Sequence, residues 1–221
     1  MELLKEIAQA LLQGDDERTR ALVSDAVAQQ VTAKQILDEG LIAGMNVVSE
    51  QFKCQDLFLP DVLLAAKAMY AGLEVIKPLL LKEKVRPQGR VVIGSVQGDQ
   101  HDIGKNLVGI MLKGAGFEVT DLGNDVAPER FVEAAKAENA QVIGMSALLT
   151  TTMTAMKRTV DLLKAQGLAG KVKTIIGGAP VTAEYARSIG ADAYGYDATN
   201  AVEQVRRLVE PREWPSNQVV K

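Results

Sequence analysis

The chain holds one histidine, one cysteine and one tryptophan in 221 residues, and aromatic side chains make up only 4% of it. A single cysteine, Cys54, excludes an intrachain disulfide framework. One histidine and one cysteine also argue against a zinc site assembled from several nitrogen and sulfur ligands. No apolar run reaches the ~18 residues of a membrane span. The opening MELLKEIAQ is acidic and amphipathic, without the basic start and apolar centre of a signal peptide. Positive charge is not in surplus: 25 Lys and Arg stand against 28 Asp and Glu, a net charge of −3, which argues against nucleic acid as a partner. What is present, 47% hydrophobic residues, suffices for a sizeable core. These features predict a soluble, cytoplasmic protein with neither a membrane nor a nucleic-acid partner.

Residues 1–83 carry a helical period throughout. Leu3, Leu4, Ile7, Ala8, Leu11 and Leu12 recur along one stripe, and Asp15 in GDDE is placed to cap a second helix carrying Ala21, Leu22, Ala26 and Val27. Thr32 is placed to cap a short third helix through Ile36 and Leu37; GLIAGMNVVSEQF continues as helix, and Pro60 opens a last long one to about Lys82. Short links between such helices predict a small antiparallel bundle. From Gly89 the period changes. RVVIGSV, FEVTDLG, QVIGMSA, VKTIIGG and ADAYGY are short apolar runs, separated by amphipathic stretches at 103–114, 128–138, 151–166 and 180–189 and followed by one at 198–209. Alternating strand and helix predicts a parallel sheet covered on both faces, a flavodoxin-like (Rossmann-type) doubly wound α/β domain of strand order 2-1-3-4-5. The predicted organisation is a helical bundle cap over 1–84, a linker over 85–89 within KVRPQG, the α/β domain over 90–210 and an irregular tail over 211–221.

In such a sheet, ligands bind at the carboxyl ends of the strands beside the point where the strand order reverses. Three unusual segments land on that edge: GDQHDIG after the first strand, SALLTTT (146–152) after the third, and GGAP (177–180) after the fourth. Asp99, His101, Ser146 and Thr150 should converge there. His101 is the only histidine, and a ligating imidazole usually gives its other N–H to a carboxylate, for which Asp99 is close at hand. A metal with one protein ligand must bring the others with it, which points to a macrocycle, a haem or a corrin. The segment is no phosphate loop, since Asn106 follows Lys105 where Ser or Thr is needed. Gly104, Gly109 and Gly114 instead recur every five residues in the first helix of the domain, leaving a groove into which a ligand tail could slide, approached from the fourth strand by Gly177 and Gly178.

Asp99-Gln100-His101-Asp102-Ile103-Gly104, Ser146-Ala147-Leu148 and Gly177-Gly178 together resemble the D-x-H-x-x-G…S-x-L…G-G signature of cobalamin-binding domains. GMNVVSEQFKCQDLFLPDVLLAAKAM is similar to the helical cap that precedes this domain in methionine synthase and in corrinoid proteins of anaerobic methyltransferase systems serving methylamines, methanol or methoxy-aromatics. The resemblance implies cobalamin as cofactor, bound base-off/His-on, with His101 as the axial cobalt ligand. Asp99 would hydrogen-bond the other imidazole nitrogen, and Ser146 would support that pair or the nucleotide tail. The tail would lie along Gly104, Gly109, Ser146, Leu148, Gly177 and Gly178. Gly98, Gln100, Asp102 and Ile103 count as further cofactor contacts, as do Thr150 and Ala198, and Phe58 in LFLP is a candidate cover for the upper cobalt face.

The implied role is a non-catalytic carrier that shuttles a methyl group on cobalt between a donor-specific methyltransferase and an acceptor-side methyltransferase, kept in service by a reductive activation protein. The bundle would swing about the linker. A cobalamin-binding mutase subunit, a cobalamin-based sensor and a cofactor-free flavodoxin-like regulator are the alternatives.

Overall fold

A computed structural model describes residues 2–209; the irregular tail expected at 211–221, and the last residue of the stretch 90–210, lie outside the described residues. Helix α1 (Glu2–Leu12) buries Leu4, Ile7, Ala10 and Leu11 along one face. Asp15 accepts from the Arg18 N–H at 2.9 Å and so caps α2 (Asp16–Ala28). Thr32 caps α3 (Ala33–Gln35) by accepting from the Gln35 N–H. The short third helix of the sequence reading is in fact the start of a longer rod: α3 runs unbroken through a π-helical stretch, Ile36–Ile42, into α4 (Ala43–Lys53). This rod lies tight against α1. A Cβ on Gly40 would stand 3.1 Å from Ile7 Cγ2, and one on Gly44 would stand 3.0 Å from the Ala8 carbonyl oxygen. Cys54 ends α4 and is exposed, because the chain turns away there through Gln55 at φ 65°. Helix α5 (Leu59–Lys82) starts with Pro60 in its first turn, and Asp61 accepts from the Phe58 N–H at 2.8 Å.

After residues 83–89, which form neither helix nor strand, strand and helix alternate. The elements are β1 (Arg90–Ser95), α6 (Ile103–Gly114), β2 (Glu118–Asp121), α7 (Pro128–Ala137), β3 (Val142–Ser146), α8 (Thr154–Ala165), β4 (Lys173–Gly177), α9 (Ala183–Ile189), β5 (Ala193–Gly195) and α10 (Ala198–Val209). The five strands are parallel in the order β2-β1-β3-β4-β5, the expected doubly wound order. Ser95, Ser146, Gly177 and Gly195 pair in register and form one row at the carboxyl edge. Helices α8 and α9 begin three residues later than the pattern suggested. The residues released build turns at that edge, where Thr182 caps α9 by accepting from the Tyr185 N–H at 3.1 Å.

Two cores follow from the two faces of the sheet. Val92, Ile143, Met145 and Ile176 pack with Phe131, Met156 and Leu163 of α7 and α8. Val91, Ile93 and Ile175 pack under α6 and α10, and this core continues without interruption into the bundle through Ile42, Met45 and Met69. Two glycines let the bundle approach: a Cβ on Gly114 would lie 2.7 Å from Met45 Cε, and one on Gly116 would lie 2.7 Å from Ile42 Cδ1. Lys53 reaches Glu203 at 2.8 Å, and Arg206 donates to Asn46 at 2.7 Å, both across the same contact. Among the described residues, no helix is long and apolar enough to cross a membrane.

Candidate cofactor site

The loop from β1 to α6 is shaped around one buried carboxylate. Gly98 sits at φ +85°, a conformation L side chains avoid, and its N–H donates to Asp125 Oδ1 at 2.7 Å. The Asp99 side chain is completely buried. Its Oδ1 accepts from the His101 N–H at 3.0 Å and from His101 Nδ1 at 2.8 Å. Its Oδ2 accepts from the N–H groups of Leu148 at 2.7 Å and Leu149 at 3.2 Å and from the Thr152 hydroxyl at 2.8 Å. Burial alone would raise the Asp99 pKa. The donors from Leu148, His101 and Thr152 outweigh it and hold the carboxyl well below the usual carboxylate range. An ionised Asp99 only accepts, so Nδ1 of His101 is the donor of this bond, and in a neutral imidazole held this way Nε2 is the nitrogen left with the lone pair. Nε2 has no protein partner among the described residues, and the imidazole is 51% exposed.

A second layer braces the loop. Ser95 Oγ donates to the His101 carbonyl at 2.5 Å, Asn124 Nδ2 donates to the Gln100 carbonyl at 3.1 Å, and the Asp125 N–H donates to the Asp99 carbonyl at 3.0 Å. Lys105, in the first turn of α6, is buried with its ammonium on Asp121 Oδ2 at 2.5 Å and Asn106 Oδ1 at 2.7 Å. This pair ties α6 to the end of β2. Sequence reasoning missed Thr152, Asn124 and Asp125. Thr152 stood in plain view in SALLTTT, but only the turn after β3 decides which of three consecutive threonines faces inward.

Ser146 and Thr150 stand at the same edge of the sheet, apart from the Asp99 hydrogen bonds. Ser146 makes no hydrogen bond to Asp99 or His101; as the last residue of β3 it lines the neighbouring cavity, and Thr152 takes the place assigned to it. Thr150 is exposed in the turn that delivers Leu148, Leu149 and Thr152 to Asp99 and is not one of the donors to that carboxylate.

The cavity, of about 430 Å³, opens between α6, α10 and the sheet. Gly104, Ser146, Gly177, Gly178 and Ala198 all line it. Gly104 has nothing within 4 Å of where a Cβ would stand, so its side of α6 is open. Gly178, at φ +124°, could not carry a side chain at all, since a Cβ would lie 1.9 Å from the Ala147 carbonyl oxygen. Gly109 does not line the cavity. It faces β1, where a Cβ would lie 2.8 Å from Ile93 Cδ1, and it closes the helix onto the sheet instead of opening a groove. Leu148 is likewise outside the lining; it contributes its N–H to Asp99 and exposes its side chain.

The remaining candidates stand around the loop. Asp102 precedes α6 and accepts the Asn106 N–H at 2.7 Å through its carbonyl. Gln100 is exposed, and Ile103, the first residue of α6, is 73% exposed. Phe58 is 65% exposed and lines a separate hollow with Phe52, Leu57, Asp197 and Thr199, where the loop after α4 faces the start of α10. Phe52 reaches both hollows.

No cluster of three or more His, Cys, Asp or Glu side chains able to hold a metal ion exists among the described residues. A metal bound through Nε2 of His101 therefore needs its other ligands from a macrocycle. The adjoining glycine-walled cavity falls within the ~300–1,000 Å³ of small-molecule sites. A corrin with a tail fits both observations.

Comparison with known proteins agrees. The B12 binding domain family matches residues 89–206, and a second B12 binding domain family matches residues 3–77. The chain is 46% identical over 207 residues to trimethylamine corrinoid protein 1 of Methanosarcina mazei, covering 93% of this chain and 96% of that one. It is 44% identical over 209 residues to the dimethylamine corrinoid protein of Methanosarcina barkeri, covering 94% and 98%. Among solved structures, a cobalamin-binding protein from Desulfitobacterium hafniense superposes with a TM-score of 0.77 at 33% identity, covering 94% of this chain and 98% of that one. The methanol:cobalamin methyltransferase complex MtaBC of Methanosarcina barkeri gives 0.83 at 31% identity, covering 94% and 80%. The chain belongs to the B12-binding family, among the corrinoid proteins of methyltransferase systems, and its cofactor is cobalamin.

Proposed function

We propose that this chain is a methyl carrier that binds cobalamin base-off/His-on through His101 and serves two methyltransferases, one specific for the methyl donor and one for the acceptor. The observation that supports this most is the Asp99–His101 pair, which leaves a single uncommitted imidazole nitrogen at the sheet edge, beside a glycine- and aliphatic-lined cavity. When bound, cobalamin supplies a cobalt centre able to accept and release a methyl group. The chain's own residues bind and orient. Asp99 fixes the tautomer and the ring plane of His101, and the donors from Leu148, Leu149 and Thr152 keep Asp99 charged and still. Gly104, Ser146, Gly177 and Gly178 admit the displaced tail, while Ile103, Leu148 and Tyr196 offer exposed apolar surface at the same edge.

In this reading residues 1–84 form a cap over the upper face of the cofactor, with Phe58 near it, and residues 85–89 act as the hinge that gives each methyltransferase access. A reductive activation protein is a third partner, and the cytoplasm is the compartment. The relatives named for trimethylamine and dimethylamine favour methylamines as the donor class.

Electron paramagnetic resonance of the cobalt(II) form tests the assignment. The wild-type spectrum should show splitting from one protein nitrogen, and His101→Ala should lose it. An unchanged pattern in the variant would remove His101 as the ligand.

A further inference from the structure

We propose that the cavity beside the His101 loop selects its corrinoid by the polarity of the lower base, taking an apolar arene of the benzimidazole or cresol type and rejecting a purine. The inference rests on the base-off reading above, in which the detached base enters this cavity.

The floor of the cavity is the sheet face between β1 and β5. Its depth runs from the edge row of Ser146 and Gly177 down to Val91, about four residues or roughly 13 Å at the rise of a parallel strand. Below the edge row the lining is Val91, Ile93, Leu112, Ile175, Ala201 and Val205. None of these side chains carries a polar atom. The backbone offers nothing either, because Ile93, Gly144, Ile175 and Ala193 lie in register in continuous parallel ladders, and the N–H and C=O groups inside α6 and α10 are spent within the helices.

The polar members of the lining all sit at the mouth. Ser146 ends β3, Tyr196 and Asp197 follow β5, and Lys105 stands in the first turn of α6 with its ammonium held by Asp121 and Asn106. A purine sent into this space would bury an exocyclic amine and several ring nitrogens without partners. Each such group left unpaired costs roughly tenfold or more in affinity. A benzimidazole brings one free ring nitrogen, and a cresol brings none beyond its linkage. Gly144, in the middle of the floor, is flanked by Ile93 and Ile175, whose Cγ2 atoms would stand 3.2 and 3.7 Å from a Cβ placed on it, so the floor there is aliphatic.

The test is a ligand series on the unaltered full chain, freed of corrinoid, so that no substitution disturbs the fold. Equilibrium dialysis compares cobinamide, which has no tail, with p-cresolyl, dimethylbenzimidazolyl and adeninyl cobamides. The cobalt(II) nitrogen splitting is recorded for each. A cresol cannot coordinate cobalt, so its comparison with adenine is free of the cost of detaching a well-bound base. The expected result is cresolyl cobamide bound at least tenfold more tightly than adeninyl cobamide, with the adeninyl form gaining little over cobinamide. Cresolyl and adeninyl affinities within twofold of each other, with the His101 splitting intact, would overturn the selectivity and leave the base-off reading standing. Absence of the protein nitrogen splitting in all four would overturn both.

Discussion

The sheet face under α7, α8 and α9 and the face under α6 and α10 are built from the same alternation of branched aliphatics, yet the first is sealed and the second encloses a cavity of about 430 Å³. What faces each glycine makes the difference. A Cβ on Gly94, on the first face, would lie 2.9 Å from Phe131 Cε1, so the fully buried ring already fills the room that the missing side chain leaves. In the wall of the second face, Gly104 meets nothing within 4 Å. A glycine in an element makes space for a ligand only where no neighbour claims that space.

The largest effect that can break this comparison lies on the sealed face. Phe131→Ala should cost about 3–5 kcal/mol of stability in urea unfolding, because the cavity it leaves has no occupant. Cobalamin affinity of the folded protein should not change. If it falls in step with stability, the two faces do not act independently. On the open face, Asp99→Asn should lower cobalamin affinity by about 10–100-fold, and it should also lower the unfolding midpoint, because the amide NH2 faces donors that the carboxylate accepted. Thr152→Val, which removes one of several donors to the same carboxylate, should fall short of that loss; equal losses by dialysis would make Thr152 as important as the carboxylate itself.

Smaller changes sharpen the contrast. Gly104→Ala should raise the stability of the cofactor-free protein by up to ~1 kcal/mol, since a helix residue gains propensity without a clash. Gly104→Leu should also fold, and it should weaken cobalamin binding by narrowing the cavity. A destabilised Gly104→Ala, measured by thermal unfolding, would mean that the wall is closed rather than open. Lys53→Ala removes the exposed pair with Glu203 between the bundle and α10, and should lower the thermal midpoint only slightly, and less still in high salt.

Much of this was legible in the sequence for a physical reason: the informative relations were short-range. Strand and helix periods placed α6 at 103–114 and gave the order 2-1-3-4-5, and the Asp99–His101 bond spans two residues. What escaped depends on chain segments far apart. The partners that Asp99 draws from Leu148 and Thr152 lie 49 and 53 residues away, and the choice among Thr150, Thr151 and Thr152 belongs to a turn with no periodic signal. Gly104 and Gly109 look alike in a sequence, but α6 turns one toward the cavity and the other toward Ile93. The π-helical stretch in the bundle was hidden for the same reason, since its one glycine, Gly40, answers to Ile7 of α1 rather than to its own neighbours.

The seating of Met45 and Ile42 over Gly114 and Gly116 has a consequence for how the molecule comes apart. Because the bundle and one side of the sheet share a single apolar core, neither half completes its own interior. Loss of the bundle would bare the outer sides of α6 and α10, the two helices that wall the cavity. Heat or denaturant should therefore melt both halves in one cooperative transition, and the α/β half cut away from residues 1–84 should be a poorer folder than its regular sheet suggests.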